Sequence, residues 1–282
     1  MHTWFITGAS RGFGALIAEQ ALAKGDAVIA TARNPQAVTD RIGTHPNLMA
    51  VALDVTDEAQ AHAAARAGIA RFGRIDVLVN NAGYGLLGAV EEATAQEIEA
   101  IYRTNVFGLL GVTRAVLPHM RRQRSGRILN ISSIGGYAGF PGWGVYGSTK
   151  FAVEGLSESM AIELAPLGIH VTAVEPGFFR TDFLDETSLA VSRSVISDYA
   201  GTSGAMRDFA GGANHAQPGD PAKLARVLVA FVDAPNPPVR LPLGSDTVAR
   251  IESEDAATAA MLADWRAVAI STDFDAATVA AS

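Results

Sequence analysis

The sequence predicts a doubly wound α/β fold, a parallel sheet with helices on both faces. Three observations carry that expectation. Strand-like and helix-like segments alternate from the first residues onward. The strand-like runs are continuously apolar rather than alternating, as in a sheet buried on both sides. The first run ends in a glycine-rich turn that leads directly into helical spacing.

Seven runs read as strands: "TWFITG", "AVIATA", "LMAVALDV", "IDVLVNNAG", "GRILNISS", "IHVTAVEPG" and "VRLPLG". Between the first two, Phe13, Leu16, Ile17, Ala21 and Leu22 recur at helical intervals over residues 12–24. "DEAQAHAAARAGIARFG" reads as a helix with Thr56 or Asp57 placed to cap it. Two helices are expected near 94–103 and 105–121, and another over 146–165 that stops near Pro166 and Gly168. "DPAKLARVLVAFVDA" is a later helix, and helical sequence returns around 246–270. Residues 178–218 have weaker periodicity and many Gly, Ser and Asp, yet keep Phe178, Phe179, Phe183, Tyr199, Met206 and Phe209. That apolar content argues against disorder and for an ordered flap. The expectation is one domain over residues 1–282, with a flap at 178–218 and a C-terminal helical extension at 246–282.

Composition narrows the function classes. The formal net charge is −7, which disfavours nucleic acid or an anionic membrane as a partner. The basic run "HMRRQRSGR" at 119–127 reads as a solvated helix end and loop. Without cysteine there is no disulfide, thiolate metal site or thiol nucleophile. No metal is expected. No secretory leader is apparent, and no apolar run reaches the roughly 20 residues that span a bilayer. The expected setting is the cytoplasm, away from membranes.

The turn "TGASRGFG", Thr7 to Gly14, sits between the first strand and the first helix. Gly8 permits a tight turn, Gly12 lets the backbone approach a pyrophosphate, and Gly14 lets the helix pack against the sheet. Ser10, Arg11 and Phe13 complete the loop, and the helix N-terminus offers free N–H groups to phosphate. NAD-binding sheets usually end the second strand with an acid that holds the ribose 2′-hydroxyl. Here Ala32 and Arg33 stand there instead. Arg11 and Arg33 together suit a 2′-phosphate, so NADPH/NADP+ is the expected cofactor. Asp54, followed by Val55 after the third strand, either accepts from the adenine amino group or caps the next helix.

At the other end of the sheet, "YGSTK" puts Tyr146 and Lys150 four apart on one helix face. An ammonium beside a phenol favours phenolate, which would bring the tyrosine toward working pH as an acid. Ser132 and Ser133 end the preceding strand at the carboxyl edge of the sheet, where ligands bind in such folds.

Together with "NNAG" at 80–83, "NVFG" at 105–108 and "PGFFRT" at 176–181, these motifs resemble the short-chain dehydrogenase/reductase family, on a Rossmann fold. The resemblance covers residues 3–182 strongly. It implies catalytic roles for Asn105, Ser133, Tyr146 and Lys150. Ser133 is preferred to Ser132 because it lies thirteen residues before the tyrosine. By resemblance, Tyr146 would protonate a carbonyl oxygen held by Ser133. Lys150 would bind the nicotinamide ribose, and Asn105 would anchor a water through its carbonyl. Asn81, Ala82 and Gly83 would line the adenosine ribose, and Pro176, Gly177 and Thr181 the nicotinamide. The substrate wall would come from Gly135, Tyr137, Phe140, Trp143, Phe178 and the flap 182–218, although these aromatics could equally pack the flap against the body. The tail "VRLPLGSDTVARIESE" resembles the 17β-hydroxysteroid and retinol dehydrogenase branch. A homodimer or homotetramer is implied, with Val106, Leu110 and Val153 serving either the interface or the core.

The expected activity is NADPH-dependent reduction of a hydrophobic ketone or aldehyde, with a small-molecule partner and no macromolecular one. The alternatives are alcohol oxidation with NAD(P), and a non-catalytic dinucleotide sensor, disfavoured because Tyr146 and Lys150 are both present. A sugar-nucleotide epimerase is disfavoured by the glycine spacing.

Overall fold

The computed structural model describes residues 1–213 and 216–274. The last part of the expected C-terminal extension, residues 275–282, lies outside the described residues, as do 214 and 215 of the flap.

The strands are β1 (Thr3–Ile6), β2 (Ala27–Ala32), β3 (Leu48–Ala52), β4 (Val77–Asn80), β5 (Gly85–Leu87), β6 (Gly126–Ile131), β7 (Ile169–Pro176), β8 (Leu189–Val191) and β9 (Arg240–Leu243). The helices are α1 (Gly12–Ala23), α2 (Gln36–Ile42), α3 (Glu58–Phe72), α4 (Ala95–Tyr102), α5 (Leu109–Gln123), α6 (Gly144–Leu164), α7 (Ala205–Ala213), α8 (Pro221–Phe231) and α9 (Ser245–Ile270). Seven strands form one sheet in the order β3-β2-β1-β4-β6-β7-β9, and every pairing is parallel. The chain reverses direction across the sheet between β1 and β4, the switch point where such folds open a crevice. The expected doubly wound fold is therefore the one found.

Each face of the sheet buries its own core. On one, Ile17, Ala18 and Ala21 of α1 and Leu224, Ala225 and Leu228 of α8 pack on Trp4, Ile6, Val28 and Val79. On the other, α3, α5 and α6 bring Ala64, Val112, Val116 and Met160 against Phe5, Ile29, Leu78 and Ile128. Because both faces are covered, the strands have no solvated side, which explains their continuous apolar runs. Gly68 of α3 is needed for this closeness: a Cβ there would sit 2.3 Å from Ile29 Cδ1.

Local caps follow the residues expected of them. Asp57 caps α3 by accepting from the N–H groups of Ala59 and Gln60. Asp220 does the same for α8 with Ala222 and Lys223, ahead of Pro221 at the first helical position. Where the sequence suggested two helices near 94–103 and 105–121, α4 and α5 form one continuous run. They are joined by a π-helical turn over Arg103–Gly108. Asn105 therefore lies inside that turn and does not begin a helix. Val106 and Val153, offered for either an interface or the core, are buried within the chain, and Phe107, Phe151 and Ile162 are exposed large apolar side chains on these elements.

A polar ladder crosses the interior at the carboxyl half of the sheet. Asn80 donates to Thr113 Oγ1 and to Asn130 Oδ1, both at 2.9 Å. Asn130 donates to Ser157 Oγ at 2.9 Å, and Ser157 donates to the Val153 carbonyl. All four residues are buried, so each partner lost strands a buried polar group. Asn130→Ala is expected to lower stability by about 1–3 kcal/mol. Guanidinium unfolding checks this: the midpoint should fall while the slope m stays constant.

Candidate active site

The cleft at the switch point has a volume of ≈ 560 Å³ and runs from the glycine turn to the N-terminal part of α6. Thr7 and Asn81 build its floor. The Thr7 hydroxyl accepts from the N–H groups of Asn81 and Ala82 and donates to the Val79 carbonyl. Asn81 Nδ2 returns bonds to the carbonyls of Thr7, at 2.9 Å, and Gly8, at 3.1 Å. The glycine turn is thus tied to the end of β4. Gly8 and Gly12 have positive φ, of 65° and 54°. A Cβ on Gly14 would lie 2.5 Å from the Gly8 carbonyl oxygen, so this glycine shapes the turn without itself lining the cleft.

The first turn of α1 has no side-chain cap, leaving its N–H groups available to an anion. Gly8, Ser10, Gly12, Phe13, Asn81, Ala82 and Gly83 surround that end. Arg33, Asp54 and Val55 line its far side. Asp54 accepts from the Thr56 backbone and hydroxyl, and these bonds hold its carboxyl below the usual range. The capping alternative for Asp54 is thus met in part: it closes the turn before α3, while Asp57 is the helix cap proper. Arg11 faces the cleft too, but its guanidinium donates to the Thr187 carbonyl of the flap at 2.6 Å. This donor set fits a dinucleotide: free N–H groups and an open glycine for phosphate, and a cation and a carboxylate at the adenosine end.

At the other end, Ser133, Tyr146 and Lys150 share one wall. Ser133 accepts from Gly135 N–H at 3.1 Å and is hydrogen-bonded to Tyr146. Ser132 points the other way, to Glu154. Lys150 donates to the Ile131 carbonyl at 2.8 Å, with its ammonium 5.6 Å from the centre of the Tyr146 ring. The expected lowering of the tyrosine pKa is not found in this arrangement. Burial pushes Tyr146 up to about 12, opposed only by the Ser133 bond. Burial also brings Lys150 down to about 8, with the charge of Glu154 opposing it. Desolvation disfavours both charged forms, and at this separation it outweighs the attraction between them.

Asn105 does not line the cleft. Its side chain accepts from Tyr84 N–H and donates to the Tyr84 carbonyl and Thr149 Oγ1, fixing the chain after β4. Pro176, Gly177 and Thr181 do line it. A Cβ on Gly177 would lie 2.2 Å from Asp246 Oδ2, so this glycine also lets the start of α9 dock. Of the expected substrate wall, Gly135, Phe140, Trp143 and Phe178 line the cleft and Tyr137 does not. The short turn over Ile134–Gly136 carries Tyr137 to the opposite side, where its hydroxyl pairs with Asp255 and its ring lies 5.1 Å from the Arg240 guanidinium.

Phe183, Leu184 and Leu189 of the flap complete the wall, together with Tyr84, which the sequence reading missed. Trp143 stacks on Phe183, their ring centres 6.3 Å apart, and Tyr146 lies 5.5 Å from Trp143. They converge because β5 and β8 pair into a small second sheet that folds the flap over the cleft. The apolar "GLL" and "LAV" were signals for it, but nothing in them specified each other as partners.

A profile of the short chain dehydrogenase family matches residues 2–191. An oxidoreductase of Botryotinia fuckeliana is 42% identical over 247 residues, covering 87% of this chain and 89% of that one. A 3-ketodihydrosphingosine reductase of Bacteroides thetaiotaomicron is 40% identical over 240 residues, covering 85% and 86%. The crystal structure of a short-chain dehydrogenase from Streptomyces avermitilis superposes with a TM-score of 0.90 at 43% identity, covering 97% of this chain and 99% of that one. The chain belongs to the short-chain dehydrogenase/reductase family. It is an oxidoreductase of the class that binds a nicotinamide dinucleotide and acts on small molecules. Among the described residues no helix is long and apolar enough to cross a membrane, and no cluster of three or more His, Asp or Glu is placed to hold a metal.

The flap is anchored from outside the cleft. Arg207 of α7 donates to both oxygens of the buried Glu92, at 2.7 and 3.2 Å, and Glu92 also accepts from the N–H groups of Ala89 and Ile196. These bonds bring its carboxyl down to about 2, so the anchor is ionised at any neutral pH. Arg207→Ala should free α7 and raise KM for the substrate while leaving the dissociation constant of the dinucleotide nearly unchanged. Limited proteolysis at neutral pH checks this: cleavage within 193–213 should appear in the variant well before it does in the parent.

Proposed function

We propose that the chain is an NADP(H)-dependent reductase of hydrophobic ketones or aldehydes. The carrying observation is the placement of Ser133, Tyr146 and Lys150 on one wall of a cleft whose other end presents the glycine turn, Arg33 and Asp54. When bound, the nicotinamide supplies the hydride. The Tyr146 hydroxyl donates a proton to the carbonyl oxygen, and Ser133 Oγ holds that oxygen. Lys150 holds an ammonium near the tyrosine ring and offers its remaining N–H groups to a ribose. Asn105 keeps the segment after β4 in place.

Three features support the finer reading. A phenol held above its ordinary pKa is a proton donor rather than a base, which favours reduction over oxidation. Arg33 lines the adenosine end where an acid would favour NAD, and it suits a 2′-phosphate. Trp143, Phe140, Phe178, Phe183 and Leu184 give the reacting end an apolar lining suited to a hydrophobic carbonyl compound. The relative named a 3-ketodihydrosphingosine reductase is in keeping with that. Residues 1–282 acting as one unit, a homodimer or homotetramer, and a cytoplasmic setting complete the proposal.

Consumption of NADPH and NADH against ketones and aldehydes, from small aliphatic to bulky apolar, tests it. Turnover should be greatest with NADPH on the bulky apolar members; no turnover on any member would sink the reading. Tyr146→Phe should cost roughly 10²–10⁴-fold in kcat while leaving dinucleotide binding intact. Arg33→Ala should weaken NADPH by about tenfold or more and NADH little, as expected for one charge-assisted bond. Equal weakening of both would remove Arg33 as the reader of the 2′-phosphate.

A further inference from the structure

Behind the catalytic wall lies a buried carboxyl pair that the proposed reaction does not use. Glu154 stands one turn beyond Lys150 on α6, and Glu175 is the last residue but one of β7. They are 2% and 1% exposed, and none of their four carboxyl oxygens has a hydrogen-bond partner. A buried carboxylate that accepts no hydrogen bond is costly to ionise, so burial favours the protonated form of each. The positive charge beside them is Arg240 of β9, whose Nε lies 3.6 Å from Glu154 and 4.0 Å from Glu175. Its Nη2 is drawn off to Glu158 of α6 at 2.8 Å. The groups that face the pair are thus Lys150 and Glu158 from α6, Arg240 from β9, Ser132 from the end of β6, and Tyr137 with Asp255 of α9 behind it. One guanidinium is shared among three carboxyls, so both buried members are pushed toward protonation and compete for its charge.

The charge that Glu154 carries reaches the active site through the helix. Side chains four apart on a helix are about 5–6 Å apart at Cβ, and Lys150 and Glu154 are both buried. We infer that Glu154 is a positioning residue for the reaction: the share of the pair's negative charge it carries sets how much of the buried Lys150 remains an ammonium, and Glu175 controls that share by competing for the proton. The burial that brings Lys150 down to about 8 is opposed by Glu154, and Glu175 is pushed up to about 7, within reach of neutral pH. The inference rests on the reductase reading for its consequence, though not for its measurement.

The two carboxyls then act with opposite sign. Glu154→Gln removes the counter-charge, so the protonation midpoint of Lys150 should fall by about one unit. Glu175→Gln leaves Glu154 as the sole acid beside Arg240, fully ionised, so the midpoint should rise. Competitive labelling of the full chain with trace acetic anhydride across pH, with Lys150 read by mass spectrometry, gives the midpoint without any turnover. The pH profile of kcat/KM should shift in the same order. Midpoints that stay put, or move in the same direction in both variants, overturn the inference even if the enzyme is an active reductase. Midpoints that move oppositely in a chain that reduces nothing uphold it and overturn the reductase reading instead. Should Glu154→Gln fail to fold, Glu175→Gln decides alone: it keeps the shape of the side chain but removes the competing charge, and a midpoint that does not rise ends the proposal.

Discussion

The stitch between Thr7 and Asn81 is the constraint on which the cleft depends. A parallel sheet splits at its switch point because β1 and β4 send their following segments to opposite faces. Left alone, the two carboxyl ends would expose backbone groups inside a crevice that must also admit a ligand. One threonine hydroxyl and one asparagine amide satisfy five of these groups at once. The glycine turn keeps its open conformation because Asn81 holds its carbonyls from below, which leaves the N–H groups of α1 facing the cleft. The motif "NNAG" then has two structural tasks before any contact with a ligand: Asn80 runs the interior ladder, and Asn81 supports the turn.

Helix α6 carries the chemistry, and its polarity is paid for by β6 and β7. Tyr146, Lys150 and Glu154 fall on one stripe of a helix packed against the sheet, where apolar residues would be expected. Strand ends stand beside all three: Ser133 at the tyrosine, the Ile131 carbonyl accepting from the lysine, and Ser132 facing a glutamate whose oxygens accept no hydrogen bond. The adjacent serines of "ISS" thereby divide their work. In an extended chain successive side chains point to opposite sides, so one serine turns to the cleft and its neighbour turns to the carboxyl pair. Spacing of thirteen residues to the tyrosine selects Ser133 by resemblance, and alternation gives the physical reason that both serines cannot face the same ligand.

Much of this was legible in the sequence where the signal is local. The apolar runs fixed the strands of the main sheet, and the glycine turn and "YGSTK" marked the two ends of the cleft. What escaped depends on contacts distant in sequence. The helix break assumed before Asn105 came from reading two periodic stretches as separate elements, whereas a π turn joins them without ending the backbone hydrogen bonding. Tyr137 was placed in the substrate wall by proximity to Ser133. A turn of three residues is enough to reverse its direction, and its partners Arg240 and Asp255 lie more than a hundred residues away. The tyrosine pKa was argued from the lysine charge alone; the degree of burial, which reverses the sign, is a tertiary quantity.

The flap shows why a site of this kind needs long-range anchors. Among the described residues between Gly177 and Asp220 the chain forms only short turns, the three residues of β8, and α7. Pieces that small bury too little apolar surface to stay folded by themselves. Their order comes from attachment. Asp246 holds the entry by accepting from Phe178 N–H, β5 pairs with β8 in the middle, and Glu92 with Arg207 holds α7. A further tie, Arg11 to the Thr187 carbonyl, is exposed and belongs to the phosphate turn. A guanidinium bonded to one neutral carbonyl gains less than one bonded to a phosphate. The three interior anchors therefore keep the flap over the reacting end whatever occupies the adenosine end, while the Arg11 contact is the one that a bound anion can draw away.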